Sequence, residues 1–442
     1  MMVVGVASCL WAAGPASAQS DEAEAASVER RMRLDYESYG LSLDPVDRSG
    51  RSTGTSPVYA FTRLEVEGGY DSNVRRTATG TTASAFAVTR PGVSVQWDGE
   101  THRSAVTGQA AVGRYGASSG DNYEDLELGL LSRIEVDDDV GLVLSGDVGR
   151  FHIDRGSDLD LGPTFGVQTY RTYSAGAELS SVMLPDTPMT GTLRSTWYRF
   201  DDVAGVDRSA LDRWIGVGSA KVGFARLGEV SFFVQPAVQR VDYVDNTAGN
   251  PDSTRLDLAL GAFYAGGDVT QISGFVGASR RTFDQSGIDP ELSALVGMDA
   301  LWNATDLMTV TADLSLSNED SELSAASSVT TTKLGLGVDY EVLDNLIFGT
   351  KVRWTSQRYQ GSVADERLVE TGVDVRYLLN EYAYLGAGLS WEDQASDDPN
   401  EEYRATVASL RFGLKLCCLI DHSMEGRDGR WLRKGVVGDV FR

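Results

Sequence analysis

Met308–Ser317 reads MTVTADLSLS. Met308, Val310, Ala312, Leu314 and Leu316 fall on one face, and Thr309, Thr311, Asp313, Ser315 and Ser317 on the other. Successive strand side chains point to opposite faces, so this decapeptide is a strand with one apolar and one polar side. The same beat recurs from Val58 to Leu416, with turns between strands and no helical run. A long series of such strands satisfies its backbone without edges only by closing on itself. The pattern predicts an all-β fold: a transmembrane antiparallel up-and-down β-barrel.

The connections alternate in length. Short ones fall at Trp97–Thr101, Val136–Val140, Leu184–Pro188, Arg226–Val230, Ala265–Val269, Asn303–Leu307, Val342–Leu346 and Leu378–Tyr382, where Asp, Asn, Gly and Pro supply tight-turn chemistry. Longer ones include Asp71–Thr82, Asp154–Gly166, Asp201–Ala210, Val244–Thr254, Ser317–Val329 and Glu392–Glu402. Short turns on one side and long loops on the other are the outer-membrane arrangement, and the count is about 18 strands, with 16 as the lower bound. Both termini then face the periplasm. Trp97, Tyr264, Trp302, Tyr340, Trp354, Tyr377 and Trp391 read as interfacial girdles. The alternative, a soluble two-sheet sandwich, sits poorly with 442 residues and alternating loop lengths.

Composition agrees with the barrel. A mean hydropathy of −0.19 is low for a membrane protein, but only alternate residues of a barrel strand meet lipid. No apolar run after residue 20 nears the roughly 20 residues a spanning helix needs. The net charge of −25 excludes a phosphate-binding surface, hence a nucleic-acid partner. Cys9, Cys417 and Cys418 give no framework for a disulfide across the barrel or for a metal.

Four segments are expected. Residues 1–18, MMVVGVASCLWAAGPASA, read as a signal peptide cleaved after Ala18, although the usual basic n-region is missing. Residues 19–57 read as a polar periplasmic leader, 58–416 as the barrel and 417–442 as a basic, disordered tail. The expected partners are outer-membrane lipid and the machinery that assembles barrels there.

The polar faces carry charge. Lys333 and Asp339 oppose Leu334, Leu336, Val338 and Tyr340; Lys351 and Arg353 oppose Val352 and Trp354. Asp374 and Arg376 oppose Val373, Val375 and Tyr377, while Arg411 and Lys415 oppose Leu410, Phe412 and Leu414. A charge facing lipid costs about 2–4 kcal/mol near the midplane, so these eight are assigned to the lumen. Two readings stand side by side: a charged pore lining that sets solute preference, and an internal salt-bridge network that stiffens the wall.

No catalytic constellation is legible. His102 lies by a short turn and His152 by a long loop, at opposite ends of the barrel, and no hydrolase, zinc or phosphate-loop motif occurs. Asp154, Asp158 and Asp160, or Glu392, Asp393, Asp397 and Asp398, lack a calcium-loop spacing and read as solvated acidic loops. No enzyme activity, cofactor or metal is expected.

Gly68–Val74 reads GGYDSNV and closes the first strand, downstream of the leader segment YESYGLSL at Tyr36–Leu43. The run resembles the putative beta-barrel porin-2 family, with Gly69, Tyr70, Asp71 and Asn73 as its motif residues. The resemblance covers roughly Arg33 to Leu416. It implies an outer-membrane barrel associated with export of extracellular polysaccharide, with polysaccharide or export-complex proteins as partners. The chain departs from such barrels at its end, where the last strand, read to Leu416, has no terminal aromatic. A channel or export conduit for polar solutes is the first reading. A non-conducting barrel that acts through its acidic loops is the second.

Overall fold

A computed structural model describes residues 58–419, apart from 100, 138, 185–186, 246–250, 267–268, 322, 324–325, 362–364 and 381. The expected signal peptide and leader, residues 1–57, lie outside the described residues, as does the segment 420–442.

The described residues form eighteen strands in one antiparallel sheet. They are β1 (Val58–Asp71), β2 (Ser84–Asp98), β3 (His102–Tyr115), β4 (Tyr123–Asp137), β5 (Val140–His152) and β6 (Thr169–Leu184). Next come β7 (Thr187–Phe200), β8 (Arg213–Leu227), β9 (Val230–Tyr243), β10 (Ser253–Gly266), β11 (Thr270–Phe283) and β12 (Glu291–Thr305). The series ends with β13 (Met308–Asp320), β14 (Ala326–Leu343), β15 (Leu346–Gly361), β16 (Glu366–Asn380), β17 (Ala383–Ser396) and β18 (Tyr403–Leu419). Each strand pairs with its sequence neighbours, and β1 pairs with both β2 and β18. The sheet is therefore a closed barrel with no free edge.

The last strand runs past the expected end at Leu416. Cys417, Cys418 and Leu419 pair with Phe61, Ala60 and Tyr59, because β1 begins at Val58 and offers them backbone partners. Two loops are also shorter than read: β13 continues to Asp320 with β14 resuming at Ala326, and β17 continues to Ser396. Above a bilayer the outer face need not be apolar, so a strand can run on there without the alternation that betrays it.

The two faces separate as the alternation requires. On β14, Leu334, Leu336 and Tyr340 are exposed on the outer face. On β4, Leu126, Leu128 and Leu130 do the same. The opposite face buries polar groups such as Glu67, Arg281 and Gln394. Exposed rings gather near both rims: Trp97, Trp302, Tyr340 and Tyr377 toward the short turns, Tyr70, Trp197 and Trp391 toward the loops.

Inner side chains lie against the wall where a neighbouring strand offers glycine. Gly413 on β18 pairs with Tyr384 on β17, whose ring covers it. Gly69 sits under Phe86, and Gly335 under the Asp313 carboxylate. Pro91 and Pro236 stand inside strands. Pro91 pairs with Leu64 on β1, while the β2–β3 ladder breaks between Thr89↔Val112 and Gly92↔Gln109. Each proline lacks an N–H, so the ladder on one side is interrupted and the other is kept.

Candidate functional site

The candidate site is the bore itself, and its lining follows from strand register. Lys333 and Asp339 alternate with Leu334, Leu336 and Tyr340 on β14, facing inward. Lys351 on β15 is solvent-exposed between Gly337 of β14 and Gly372 of β16. The two glycines leave room beside it, and its stem lies against Gly372. Arg353, with a side chain 40% exposed, lies 3.9 Å from Glu370 on the adjacent strand. Arg376 and Asp374 pair along one strand at 3.7 Å. Arg411 faces Glu67 across the β18–β1 register, and Lys415 faces Arg63. On the neighbouring strands β13 and β12, Asp313 and Asp299 are exposed on the same face. The lumen thus holds water-accessible charge of both signs, with some members paired.

A loop reaches across the loop end of the barrel. The loop 153–168, between β5 and β6, reaches β15: Tyr359 donates its hydroxyl hydrogen to Asp158 Oδ2, and Gln357 Nε2 donates to the same oxygen at 3.5 Å. In a ring of eighteen, β15 stands nine strands beyond β6, which is nearly opposite. The loop therefore spans the mouth, and its contacts with Tyr359 and Gln357 fix their polar face as the interior. Leu159 anchors the near side against Ile153, Tyr198 and Phe200. Arg155 holds the loop's shape, donating to Asp160 Oδ1 at 3.0 Å and to the carbonyls of Gly162 and Phe165 at 3.2 and 2.9 Å. Arg208, from the loop 201–212, donates to the Leu159 carbonyl at 2.9 Å and to Gln168 Oε1 at 3.2 Å.

Another part of the rim is filled by buried polar groups. Arg281, 1% exposed, donates to Ser253 Oγ and Asn318 Oδ1, both at 2.9 Å. Arg255 donates to the Asn318 carbonyl at 2.6 Å. These bonds tie β10, β11 and β13 together at the rim.

Gly69, Tyr70, Asp71 and Asn73 stand where β1 meets β18. Gly69 has no room for a Cβ between Phe86 and the Ala408 carbonyl, and Tyr70 points outward, 54% exposed. Asp71 Oδ1 accepts from the Asn73 amide at 2.8 Å. Asn73 Nδ2 donates to the carbonyls of Thr77 and Arg404 at 2.9 and 3.1 Å. Arg76, at φ 51°, donates to Asp71 Oδ2 at 2.9 Å and to Glu392 Oε2 at 2.8 Å. Burial works against its cation, but Glu392 and Asp71 outweigh that and hold the guanidinium above its ordinary range. They also offset a left-handed backbone that costs roughly 1–2 kcal/mol in a non-glycine residue.

Residues 44–416 match the model of the family described as Putative beta-barrel porin 2. The chain belongs to that family. This porin-2 barrel has no match among curated proteins. Solved structures similar to it include the outer membrane protein OpdK of Pseudomonas aeruginosa, solved also with vanillate, at 14% identity and TM-score 0.44, covering 81% of this chain and 99% of that one. A BenF-like porin of Pseudomonas fluorescens Pf-5 gives 13% identity and TM-score 0.46, covering 81% and 99%. OccAB3 of Acinetobacter baumannii gives 14% and 0.43, covering 82% and 99%.

The sequence pointed to the wall charges of this porin-2 barrel but not to the loop that spans its mouth. Asp154, Asp158 and Asp160 were legible only as solvated acids. In the structure Asp160 is bound to Arg155, with a side chain 6% exposed, and Asp158 takes hydrogen bonds from the far wall. The overlooked signal was apolar: Leu159, Leu161 and Phe165 are out of place in a loop meant for bulk water. His102 and His152 stand at opposite ends of the barrel, at the start of β3 and the end of β5.

Proposed function

We propose that this porin-2 protein is a passive outer-membrane channel for polar solutes, its width set by the loop 153–168 and its preference by the charges of the lumen. The observation that carries the reading is water-accessible charge at mid-barrel, with the exposed Lys351 set between two glycines, beneath a loop pinned to the opposite wall. A wall whose charges served only rigidity would keep them from water; Lys351, Asp313 and Asp299 are exposed. Barrels of this strand number have room for an aqueous path.

The test is conductance of the purified barrel in planar bilayers with a salt gradient. Discrete ohmic steps are expected; a folded, inserted barrel that passes no current would overturn the reading. The finer reading, a conduit for an extracellular polysaccharide, rests on the family resemblance. It is tested by measuring surface polysaccharide in cells lacking the protein. Export through a signal peptide cleaved after Ala18 is tested by the N-terminal sequence of the mature protein.

A further inference from the structure

The motif at the closing seam and the loop across the mouth are joined through one carboxylate. Asp121 lies in a single 3-10 turn, Ser119–Asp121, between β3 and β4, and its side chain is 2% exposed. Its Oδ2 accepts from Arg75 Nε at 3.1 Å, and its Oδ1 accepts from Arg155 Nη2 at 2.9 Å. Arg75 belongs to the loop 72–83 that the motif opens, next to Arg76 with its ties to Asp71 and Glu392. Arg155 is the internal brace of the spanning loop. A second contact runs beside it: a Cβ at Gly156 would meet Arg76 Cβ at 2.7 Å and the Tyr403 ring at 3.0 Å, so the loop backbone lies directly on the seam. The backbone completes the chain, since the Val167 amide donates to the Gly120 carbonyl at 2.9 Å.

We infer that Asp121 is a positioning residue for the channel, a two-armed link through which the family motif at the β1–β18 seam holds the loop 153–168 across the bore. This deepens the channel reading and rests on it for its consequence, but not for its geometry. The physical case is that each arm is a charge-assisted hydrogen bond in a water-poor site, where such bonds are strong and directional. Asp121 carries one charge between two guanidiniums, so losing it releases both arms and leaves two cations facing each other. Arg155 would then keep its bonds within the loop while the loop lost its tie to the seam. The motif's role is thus to seat the constriction as well as to end a strand.

The test uses the full-length barrel in detergent and in bilayers, with Asp121→Asn, which keeps shape and removes charge, and Arg75→Gln, which cuts only the motif-side arm from a partly exposed position. Endoproteinase Asp-N reads the loop without reference to conductance. Wild type should be cut at exposed Asp202 and Asp207 in the neighbouring loop but spared at Asp154, Asp158 and Asp160. In both variants cleavage inside 153–168 should rise by about tenfold or more, the shift in open population expected on losing one charge-assisted bond. Heat-modifiable migration of the barrel should not change. Single-channel current should become larger and noisier. Continued protection of the loop in folded Asp121→Asn, or in folded Arg75→Gln should the first variant fail to fold, overturns the inference. If the loop is released as expected but neither wild type nor variant conducts, the link stands and the channel reading falls.

Discussion

Replacing Gly413 by alanine is expected to destabilise the barrel only while Tyr384 is present. A Cβ at Gly413 would lie 2.5 Å from Tyr384 Cζ and 2.6 Å from Cδ1, with Cε1 closer still. Carbon atoms rest comfortably at about 3.5–4 Å, so the ring must withdraw by roughly 1 Å or more. It has little freedom to do so, because Tyr384 is 5% exposed and its hydroxyl donates to Glu65. Overpacking of this kind costs about 1–3 kcal/mol. Loss of a hydrogen bond to a carboxylate adds about 1.5–3 kcal/mol if the ring swings away. We expect Gly413→Ala to cost on the order of 2–4 kcal/mol within those ranges. In a Tyr384→Ala background the clash is gone, and alanine should stabilise a strand position by about 0.5–1 kcal/mol relative to glycine. The sign of the substitution therefore reverses between backgrounds, a coupling of about 3 kcal/mol. Reversible urea unfolding of the four proteins in lipid, followed by tryptophan fluorescence, measures it. Equal costs in the two backgrounds would refute the reading of Gly413 as the seat of the Tyr384 ring.

Excising Ser157–Thr164 should widen the mouth and raise single-channel conductance in planar bilayers; an unchanged conductance means the loop does not lie in the solute path. Lys351→Glu combined with Arg353→Glu should move the reversal potential in a salt gradient toward cation preference, and no movement would remove both residues from the ion path. Asn73→Ala leaves the carbonyls of Thr77 and Arg404 without their donor, in a site where Asn73 is 1% exposed. It should cost about 1–3 kcal/mol in the same unfolding assay, and a change below about 0.5 kcal/mol would contradict that role.

The barrel was legible because its cause is local. Leu334 and Leu336 alternate with Gly335 and Gly337 within one strand, and Asp or Gly marks the next turn, so period and punctuation lie within a dozen residues. The polar face of β14 and β15 was legible for the same reason. What places Tyr384 over Gly413 is the register between β17 and β18, which no single strand reveals. Asp158 looked like any solvated acid until the fold put Tyr359 beside it, some two hundred residues later in the chain. Asn318 reads as loop because both faces are polar from there on, yet it is a buried strand residue on the rim. The bilayer imposes alternation only within its own thickness, and beyond it the sequence loses the signal while the strands continue.

The longest-range side-chain bonds at the seam have a common physical reason. Asp71 pairs with Ser84 in a hairpin and with Val407 across the seam, sequence separations of 13 and 336. Loop-closure entropy grows as (3/2)RT ln n, so the seam costs about 3 kcal/mol more to close than the hairpin. Backbone pairing is no stronger there than elsewhere, so the difference must come from side chains. Ser72 Oγ accepts from the Thr406 amide at 2.8 Å, Asn73 donates to the Arg404 carbonyl, Arg76 binds Glu392, and Tyr384 donates to Glu65. Each spans more than three hundred residues and adds about 0.5–1.5 kcal/mol net, more where a charge takes part, which together is of the size required. A contact whose closure entropy is largest forms late, and late contacts act on unfolding rather than folding. Asn73→Ala should therefore speed unfolding and leave the folding rate nearly unchanged, whereas slowed folding would place the seam, and the family motif with it, in the folding nucleus.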